Sequence, residues 1–185
     1  MKIVFLDRDG VINRYPGDFK YVTSWNEFQF LDGAKEAIKK LNDCGYKVFI
    51  VSNQAGVSKG IYSKAELDNI TENMLDEITK SGGEICETLY CTHREEENCA
   101  CRKPKTGLID LVLEKFKKQK IDIDLSKSYF IGDTIRDIQA GKSAGLKTIL
   151  VFSGKEKPEF KRKWQEEPDY TAQDLKEAVD FICRK

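Results

Sequence analysis

The chain has 185 residues, 31 basic and 31 acidic residues that give a net charge of zero, and 40% hydrophobic residues. This length predicts a single domain over residues 1–185 with a sizeable core. Because a neutral chain has no global field for nucleic acid or membrane, we expect neither as a partner. The chain starts directly with a strand pattern instead of a signal peptide, and no apolar run approaches the ~20 residues of a membrane span. We therefore expect a cytoplasmic protein and, without an evident apolar stripe, a monomer.

Short apolar runs alternate with helical patterns along the chain. We predict strands at about 2–7, 48–51, 85–91, 128–131 and 148–152, and helices at 34–41, after the capping box at 63–66, and at 108–116, 135–144 and 171–182. This alternation predicts an α/β fold with a doubly wound parallel sheet. The connections at 10–31, 54–62 and 92–105 are too short for an inserted domain, and the charged stretch 153–170 predicts a solvated loop with a short helix.

Asp7 and Asp9 close the first apolar run, and Gly10 indicates the turn that ends it. Ligands of open α/β sheets bind outside the carboxyl ends of the strands, where these acids are expected. Two carboxylates this close repel each other unless a cation or a shared proton intervenes. The pair therefore indicates a hard metal ion such as Mg²⁺, or a nucleophile beside an acid/base group. The alternative is a strand that ends in solvated acids.

Polar residues flank three other predicted elements. Ser52 and Asn53 follow the second strand, Lys103 precedes the 108–116 helix, and Asp133 follows the fourth strand, with Asp137 after it. Carboxylates suit Mg²⁺, while a hydroxyl, backbone N–H groups and an ammonium suit phosphate oxygens. Each residue alone has a simpler interpretation, such as Asp133 as a helix cap. Together, their strand-end positions predict a magnesium–phosphate site.

Six cysteines in a cytoplasmic chain favour metal ligands or buried thiols over disulfides. Cys91, Cys99 and Cys101 lie close to His93, the one histidine of the chain. A Cys₃His set matches a closed, structural Zn²⁺ site with no open position for catalysis. The alternative is a buried or oxidisable thiol cluster.

Four motifs, in this order, resemble those of the haloacid dehalogenase superfamily of phosphatases. They are Asp7-Arg8-Asp9-Gly10-Val11, Ser52-Asn53-Gln54, Arg102-Lys103-Pro104 and Gly132-Asp133-Thr134-Ile135-Arg136-Asp137. The Ser-Asn-Gln triplet, the Cys-Arg-Lys-Pro run at 101–104 and the cysteine–histidine cluster are similar to the branch of heptose 1,7-bisphosphate 7-phosphatases, whose motifs histidinol-phosphatases share. The resemblance implies a haloacid dehalogenase-like, Rossmann-like fold with a minimal cap and a zinc loop at about 91–101.

The resemblance also implies roles for individual residues. Asp7 would be the nucleophile that forms an aspartyl-phosphate, and Asp9 the general acid and then the general base. Asp7, the backbone carbonyl of Asp9 and Asp133 would bind catalytic Mg²⁺, and Cys91, His93, Cys99 and Cys101 would bind structural Zn²⁺. The implied phosphate- and substrate-binding residues are Ser52, Asn53, Arg102, Lys103 and, in the 10–31 loop near the leaving group, Asp18.

The resemblance implies removal of the 7-phosphate of D-glycero-D-manno-heptose 1,7-bisphosphate in nucleotide-activated heptose biosynthesis, so the expected partner is a small sugar phosphate. Histidinol phosphate or another small phosphomonoester is the alternative, and a nucleic-acid 3′-phosphatase is a further rival. Zero net charge and the lack of a basic aromatic platform argue against nucleic acid. A phospho-receiver switch is a remote alternative, against which Asp9 and the cysteine cluster argue. The aromatic residues of the 10–31 loop serve either sugar contacts or packing.

Overall fold

The computed structural model describes residues 1–184 and contains a six-stranded parallel sheet in the order β3-β2-β1-β4-β5-β6. The strands are β1 (Lys2–Leu6), β2 (Tyr46–Asn53), β3 (Glu87–Cys91), β4 (Tyr129–Gly132), β5 (Lys147–Val151) and β6 (Tyr170–Ala172). The helices are α1 (Ala34–Asp43), α2 (Lys64–Lys80), α3 (Gly107–Lys118), α4 (Ile135–Ser143) and α5 (Leu175–Cys183). This is the doubly wound α/β fold that the sequence predicts.

Both faces of the sheet are covered by helices, which explains the continuous apolar runs of its central strands. Val4 and Leu6 of β1 face a core formed with α1, α2 and α5. Ile3 and Phe5 face the opposite core, formed with α3 and α4. Because successive side chains alternate between faces, every residue of such a strand must be apolar. β1 is therefore a rigid central support for the residues that follow it.

Capping boxes mark the N-termini of two helices. Ser63 and Glu66 form the predicted capping box at the start of α2, where the Ser63 hydroxyl accepts from the Glu66 N–H and the Glu66 carboxylate accepts from the Ser63 N–H. Thr134 and Asp137 form a second capping box at α4. Asp133 is therefore not the cap of α4, and its carboxylate is left for another role.

The structure corrects the sequence interpretation of the C-terminal segment. Residues 171–182 were expected to form one helix, but Tyr170–Ala172 pairs with β5 as the edge strand β6, and α5 begins only at Leu175. A strand of three residues is too short for a period-2 pattern to be distinguished from the adjoining helix. The 153–170 stretch contains the expected short helical turn, a 3₁₀ helix over Pro158–Lys163.

A disulfide joins Cys44 to Cys183, so the expectation against disulfides is wrong for this pair. Cys44 follows α1 and Cys183 ends α5, and 139 residues separate them in the sequence. The two cysteines meet because α1 and α5 pack side by side, a long-range contact that cysteine spacing does not reveal. Among residues 1–184, no helix is both long and apolar enough to cross a membrane.

Candidate active site

Residues from distant parts of the chain meet at the carboxyl end of the sheet. β1 pairs in parallel with β2 on one side and β4 on the other. Asp7 therefore emerges between Ser52, near the end of β2, and Asp133, which follows β4. The loop before α3 adds Lys103. This position at the centre of a doubly wound sheet is where such folds bind ligands.

Lys103 is the buried cation of the site. Only 2% of its side chain is exposed, and its Nζ lies 3.0 Å from Oδ2 of Asp7 and 2.6 Å from Oδ1 of Asp137. Nζ also donates to the Val51 carbonyl at 2.8 Å. An ammonium with three fixed acceptors has no freedom to leave the site, so its charge stays directed at this part of the cleft.

Carboxylate oxygens of Asp7, Asp133 and Asp137 all lie within 4.8 Å of one another. Burial raises the pKa of Asp7 to about 6, although the nearby Lys103 ammonium opposes the shift. Burial also raises the pKa of Asp133 well above its usual range, and repulsion from Asp7 and Asp137 adds to the shift. The cluster therefore holds more negative charge than one lysine can balance.

This donor set fits a hard divalent cation. Mg²⁺ prefers oxygen ligands and binds through a few carboxylates while it keeps several waters. Asp7 and Asp133 present buried carboxylate oxygens beside the cleft, whereas both oxygens of Asp137 have partners, Oδ1 in Lys103 and Oδ2 in Thr134. A cation of charge +2 would offset the repulsion that raises the carboxylate pKa values.

Gly10 allows the Asp133 carboxylate to approach the end of β1. Its φ is +81°, a conformation that favours glycine, and a Cβ there would lie 2.3 Å from Oδ2 of Asp133. The same oxygen accepts from the Lys155 backbone N–H at 2.8 Å. Asp133 is thus held between the turn after β1 and the segment after β5.

The Asp9 carboxylate lines the same cleft, and both of its oxygens accept hydrogen bonds from neighbouring side chains. Arg8 Nη2 and Asn13 Nδ2 donate to its Oδ1 at 3.0 Å and 2.8 Å, and Gln54 Nε2 donates to its Oδ2 at 3.0 Å. The Arg8 side chain is completely buried. The prediction that Asp9 serves Mg²⁺ concerns its backbone carbonyl and stays a prediction.

The predicted phosphate-binding residues have different surroundings. The Ser52 hydroxyl accepts a hydrogen bond from Gln54 Nε2 at 3.2 Å. It also donates a hydrogen bond to Asp7, which lowers the pKa of that carboxyl, although burial raises it by more. Asn53 binds the backbone of Lys103 twice, at 3.1 Å each, so its amide fixes the lysine loop. Arg102 lines the cleft and donates to the His93 carbonyl at 3.3 Å.

These groups line a cleft of about 900 Å³. We call Asp7, Lys103, Asp133 and Asp137 the cleft floor, and residues 15–21 with residues 155–165 the cleft rim. Across the rim, Lys155 Nζ lies 2.9 Å from Oδ1 of Asp18, which also accepts from the Tyr15 hydroxyl at 2.6 Å. The predicted residue Asp18 therefore lies at the cleft entrance.

The aromatic residues of the 10–31 loop divide between packing and cleft. Trp25 stacks on Phe28, Phe30 meets both rings edge to face, and all three pack against the core. Tyr15, Phe19 and Tyr21 line the cleft instead, and Phe19 is 98% exposed. The aromatic residues in the second half of the loop therefore serve packing, whereas those in the first half line the cleft.

The Cys₃His group forms a compact cluster beside the cleft. The three sulfur–sulfur distances among Cys91, Cys99 and Cys101 are 3.2, 3.3 and 3.5 Å, and His93 Nδ1 lies 3.2 Å from the Cys101 sulfur. Zn–S bonds of ~2.3 Å in tetrahedral geometry place ligand sulfurs ~3.8 Å apart, close to this spacing. The four side chains therefore fit Zn²⁺, whose binding would draw the sulfurs slightly apart.

Sequence reasoning assigned no role to three parts of this site. Asp137 pairs with Lys103, residues 155–165 form half of the rim, and Gln54 contacts two predicted functional side chains. Asp137 and Gln54 lie inside the quoted motifs, which was the available signal. The charged stretch 155–165 carries no such signal, since solvated loops have the same composition.

Comparisons with known proteins agree with this geometry. The HAD-hydrolase-like family matches residues 100–178. D-glycero-alpha-D-manno-heptose-1,7-bisphosphate 7-phosphatase of Campylobacter jejuni is 36% identical over 185 residues, covering 100% of this chain and 97% of that protein. The D-glycero-beta-D-manno-heptose-1,7-bisphosphate 7-phosphatase of Neisseria meningitidis is 35% identical over 171 residues, covering 92% of this chain and 88% of that protein.

A solved structure is similar along its whole length. D,D-heptose 1,7-bisphosphate phosphatase from B. bronchiseptica, complexed with magnesium and phosphate, superposes with a TM-score of 0.86 at 29% identity. The similarity covers 100% of this chain and 99% of that one. On the identity, coverage and shared fold, this chain belongs to the heptose-1,7-bisphosphate 7-phosphatase family of haloacid dehalogenase-like hydrolases.

Proposed function

We propose that this protein removes the 7-phosphate of D-glycero-D-manno-heptose 1,7-bisphosphate in nucleotide-activated heptose biosynthesis, a route to lipopolysaccharide core or surface glycan. The observation that carries the proposal is the cleft floor, where buried Lys103 contacts Asp7 at 3.0 Å beside Asp133 and below an open cleft. A carboxylate nucleophile, a fixed cation and a metal-binding acid are the groups that phosphoryl transfer to an aspartate requires. The names of the similar phosphatases support the heptose substrate.

In the first step, an Asp7 carboxylate oxygen attacks the phosphorus of the 7-phosphate. The bond between phosphorus and the sugar oxygen breaks, and that oxygen takes a proton from the Asp9 carboxyl. The product is a free sugar hydroxyl and an aspartyl-phosphate on Asp7. Lys103 and the Ser52 hydroxyl neutralise the phosphoryl oxygens during transfer, a contribution of the kind that charge-stabilising donors make.

In the second step, a water molecule attacks the phosphorus of the aspartyl-phosphate and gives its proton to Asp9. The bond between phosphorus and the Asp7 oxygen breaks, which releases inorganic phosphate and restores both carboxyl groups. Asp9 already lines the cleft, and for both steps its Oδ1 must exchange Arg8 and Asn13 for the leaving oxygen or the water, while Gln54 Nε2 stays on its Oδ2. Arg102, at the side of the cleft, is the proposed second contact for the phosphate.

Asp7, Asp133 and the Asp9 backbone carbonyl are the proposed residues for Mg²⁺. The ion would neutralise phosphoryl charge and lower the repulsion between the attacking carboxylate and the phosphate. The carboxylates are already held in place by Lys103 and by the Lys155 N–H. The protein therefore supplies a prearranged pair of oxygens, and little reorganisation is needed during reaction.

We further propose that Cys91, His93, Cys99 and Cys101 hold one structural Zn²⁺. Bound there, the metal would stiffen the loop that carries Arg102 and Lys103 directly after the last ligand. Metal analysis of protein purified without chelator should find one zinc per chain, and Cys99→Ser should abolish it. Less than half an equivalent in the unmodified protein would contradict the zinc proposal.

A substrate panel tests the function. Phosphate release is measured with both anomers of the heptose bisphosphate, histidinol phosphate and a 3′-phosphorylated oligonucleotide, since the similar phosphatases are named for either anomer. We expect the highest kcat/KM for one heptose bisphosphate. Preference for histidinol phosphate or the oligonucleotide would overturn the substrate, and no turnover of any compound would overturn the enzymatic proposal.

We propose one domain over residues 1–185, because the two helical layers pack on one continuous sheet. A small sugar phosphate as partner, rather than nucleic acid or membrane, agrees with the neutral net charge. A monomer in the cytoplasm is the corresponding proposal, which size-exclusion chromatography and cell fractionation test.

A further inference from the structure

Gln54 is a buried polar side chain that joins two of the proposed functional residues. Its side chain is almost completely buried, and Nε2 donates to Asp9 Oδ2 at 3.0 Å and to Ser52 Oγ at 3.2 Å. An amide nitrogen has two hydrogens, and both are used here. One group therefore fixes the distance between the acid/base carboxyl and the phosphate-binding hydroxyl.

Tyr62 anchors the oxygen end of the Gln54 amide. Its hydroxyl donates to Gln54 Oε1 at 2.6 Å, and both groups are buried. The opposite orientation would place the amide oxygen against the Asp9 carboxylate, which can only accept, so Asp9 requires the nitrogen on its side. Because an unsatisfied buried polar group costs ~1–3 kcal/mol, the Tyr62 hydroxyl stabilises this orientation by satisfying the buried Oε1 of Gln54.

The backbone around this pair is shaped to hold it. The Gln54 N–H donates to the Cys91 carbonyl at 2.7 Å, which fixes its main chain to the end of β3. The Tyr62 ring packs directly on Gly56, where a Cβ would lie only 2.1 Å from a ring carbon. A residue larger than glycine at 56 would push the ring, and with it the hydroxyl, away from Gln54.

We propose that Gln54, anchored by Tyr62, is a positioning residue that holds the Asp9 carboxyl and the Ser52 hydroxyl in register for the same phosphoryl group. The proposal rests on the proposed function, in which Asp9 protonates the leaving sugar oxygen. Gln54 itself touches neither substrate nor the reacting atoms in this account. It limits the directions in which Asp9 can turn when the carboxyl moves toward the leaving group.

Substrates with different leaving groups distinguish positioning of Asp9 by Gln54 from a merely structural role of Gln54. An alkyl phosphate leaves as a strongly basic alkoxide and depends on a well-placed general acid, whereas p-nitrophenyl phosphate leaves as a stable phenolate and does not. kcat/KM reports the steps up to leaving-group departure, so the later hydrolysis of the aspartyl-phosphate does not affect the comparison. Loss of Asp9 positioning must therefore slow the alkyl substrate selectively.

The experiment measures kcat/KM of the full chain with the best alkyl phosphate of the substrate panel and with p-nitrophenyl phosphate. The variants are Gln54→Leu, Tyr62→Phe and, as the reference for a lost acid, Asp9→Asn. Tyr46→Phe is the matched control for Tyr62→Phe. Tyr46 is buried like Tyr62, but it lies at the start of β2, at the end of the strand away from Ser52. Circular dichroism and a melting curve verify folding of each variant.

We expect Gln54→Leu to lower kcat/KM for the alkyl phosphate by about 10- to 100-fold and for p-nitrophenyl phosphate by less than about 3-fold. Tyr62→Phe should show the same selectivity with a smaller loss, and Tyr46→Phe should change neither value. Suppose that Asp9→Asn shows leaving-group selectivity. Equal losses of kcat/KM on both substrates in Gln54→Leu, or no loss on either, would then overturn the positioning role. If Asp9→Asn lacks that selectivity, the proposed acid is wrong and the positioning role is overturned with it. If Gln54→Leu does not fold, Tyr62→Phe decides by the same criterion.

Discussion

The cleft floor and the cleft rim both contain a lysine paired with an aspartate, in very different surroundings. On the floor, Lys103 and Asp137 are 2% and 0% exposed and lie 2.6 Å apart. On the rim, Lys155 and Asp18 are 49% and 60% exposed and lie 2.9 Å apart. Similar distances therefore join one pair that water cannot reach and one that water surrounds.

Burial separates the contacts that serve chemistry from those that serve recognition. A buried charge that loses its partner costs several kcal/mol, so the floor can hold one arrangement only. An exposed pair contributes ~0–1 kcal/mol and can open without penalty, which suits an entrance through which substrate passes. We therefore expect changes to the floor to abolish turnover, and changes to the rim to affect only the apparent affinity for sugar phosphates.

Replacing the nucleophile should have the largest effect. Asp7→Asn keeps the shape of the side chain but removes the carboxylate that would form the covalent intermediate. We expect kcat to fall by more than about 10⁴-fold, in the range seen when a catalytic nucleophile is removed. Steady-state assays together with circular dichroism check this, and full activity in a correctly folded variant would refute the assignment of Asp7.

Removing the buried cation should cost both stability and activity. Lys103→Met leaves Asp7 and Asp137 without their partner, which we expect to lower the free energy of unfolding by ~3–5 kcal/mol at neutral pH. The loss of one charge-stabilising donor should also lower kcat by about 10²–10³-fold. Urea unfolding and steady-state kinetics measure the two effects. The matched control Lys118→Met, on the exposed surface of α3, should change neither.

The raised carboxyl pKa predicts how magnesium affects stability at different pH. The pKa of Asp7 rises on folding from 3.8 to about 6, chiefly through burial, so the folded protein keeps a proton that the unfolded chain loses within this window. Stability of the metal-free protein should therefore fall as pH rises from about 4 to 6 and stay low above it.

Magnesium should reverse this loss. At about 100 times its Kd, we expect Mg²⁺ to raise the melting temperature by about 5–10 °C at about pH 7.5. At about pH 5, where Asp7 is mostly protonated, the increase should be less than about half of that. Scanning calorimetry with and without Mg²⁺ makes the comparison, and an equal increase at both pH values would contradict the metal role of Asp7.

The smallest effect is expected on the rim. Asp18→Ala removes the exposed contact with Lys155 and should change the free energy of unfolding by less than ~1 kcal/mol. KM for the sugar bisphosphate should rise no more than about 5-fold, equivalent to ~1 kcal/mol of binding. The kcat/KM for p-nitrophenyl phosphate, which has no sugar to contact the rim, should stay constant. A large loss of kcat instead would place Asp18 in the chemistry and remove the distinction between floor and rim.

The sequence predicted the floor better than the rim for a physical reason. Asp7 and Asp133 follow buried apolar runs, and parallel strands necessarily bring their carboxyl ends to one edge. The lysine of the floor was found through its motif, although its simultaneous contact with Asp7 and Asp137 depends on tertiary structure. Asp137 was noticed but received no role, because a capping aspartate and a buried ligand look alike in sequence.

The parts that sequence reasoning missed depend on long-range packing. β6 has three residues and exists because β5 offers an edge, and the disulfide between Cys44 and Cys183 depends on how α1 packs on α5. Residues 155–165 were predicted as a solvated stretch without function, yet they close one side of the cleft. Their position follows from where β5 ends, which composition does not reveal.

The most direct measurement locates the phosphoryl group during turnover. The enzyme is mixed with the heptose bisphosphate and Mg²⁺, quenched in acid and treated with borohydride, which reduces an aspartyl-phosphate to homoserine. Peptide mass spectrometry then identifies the altered position. We expect homoserine at position 7, dependent on substrate and absent in Asp7→Asn. Modification at another aspartate, or none in an enzyme that turns over, would contradict it.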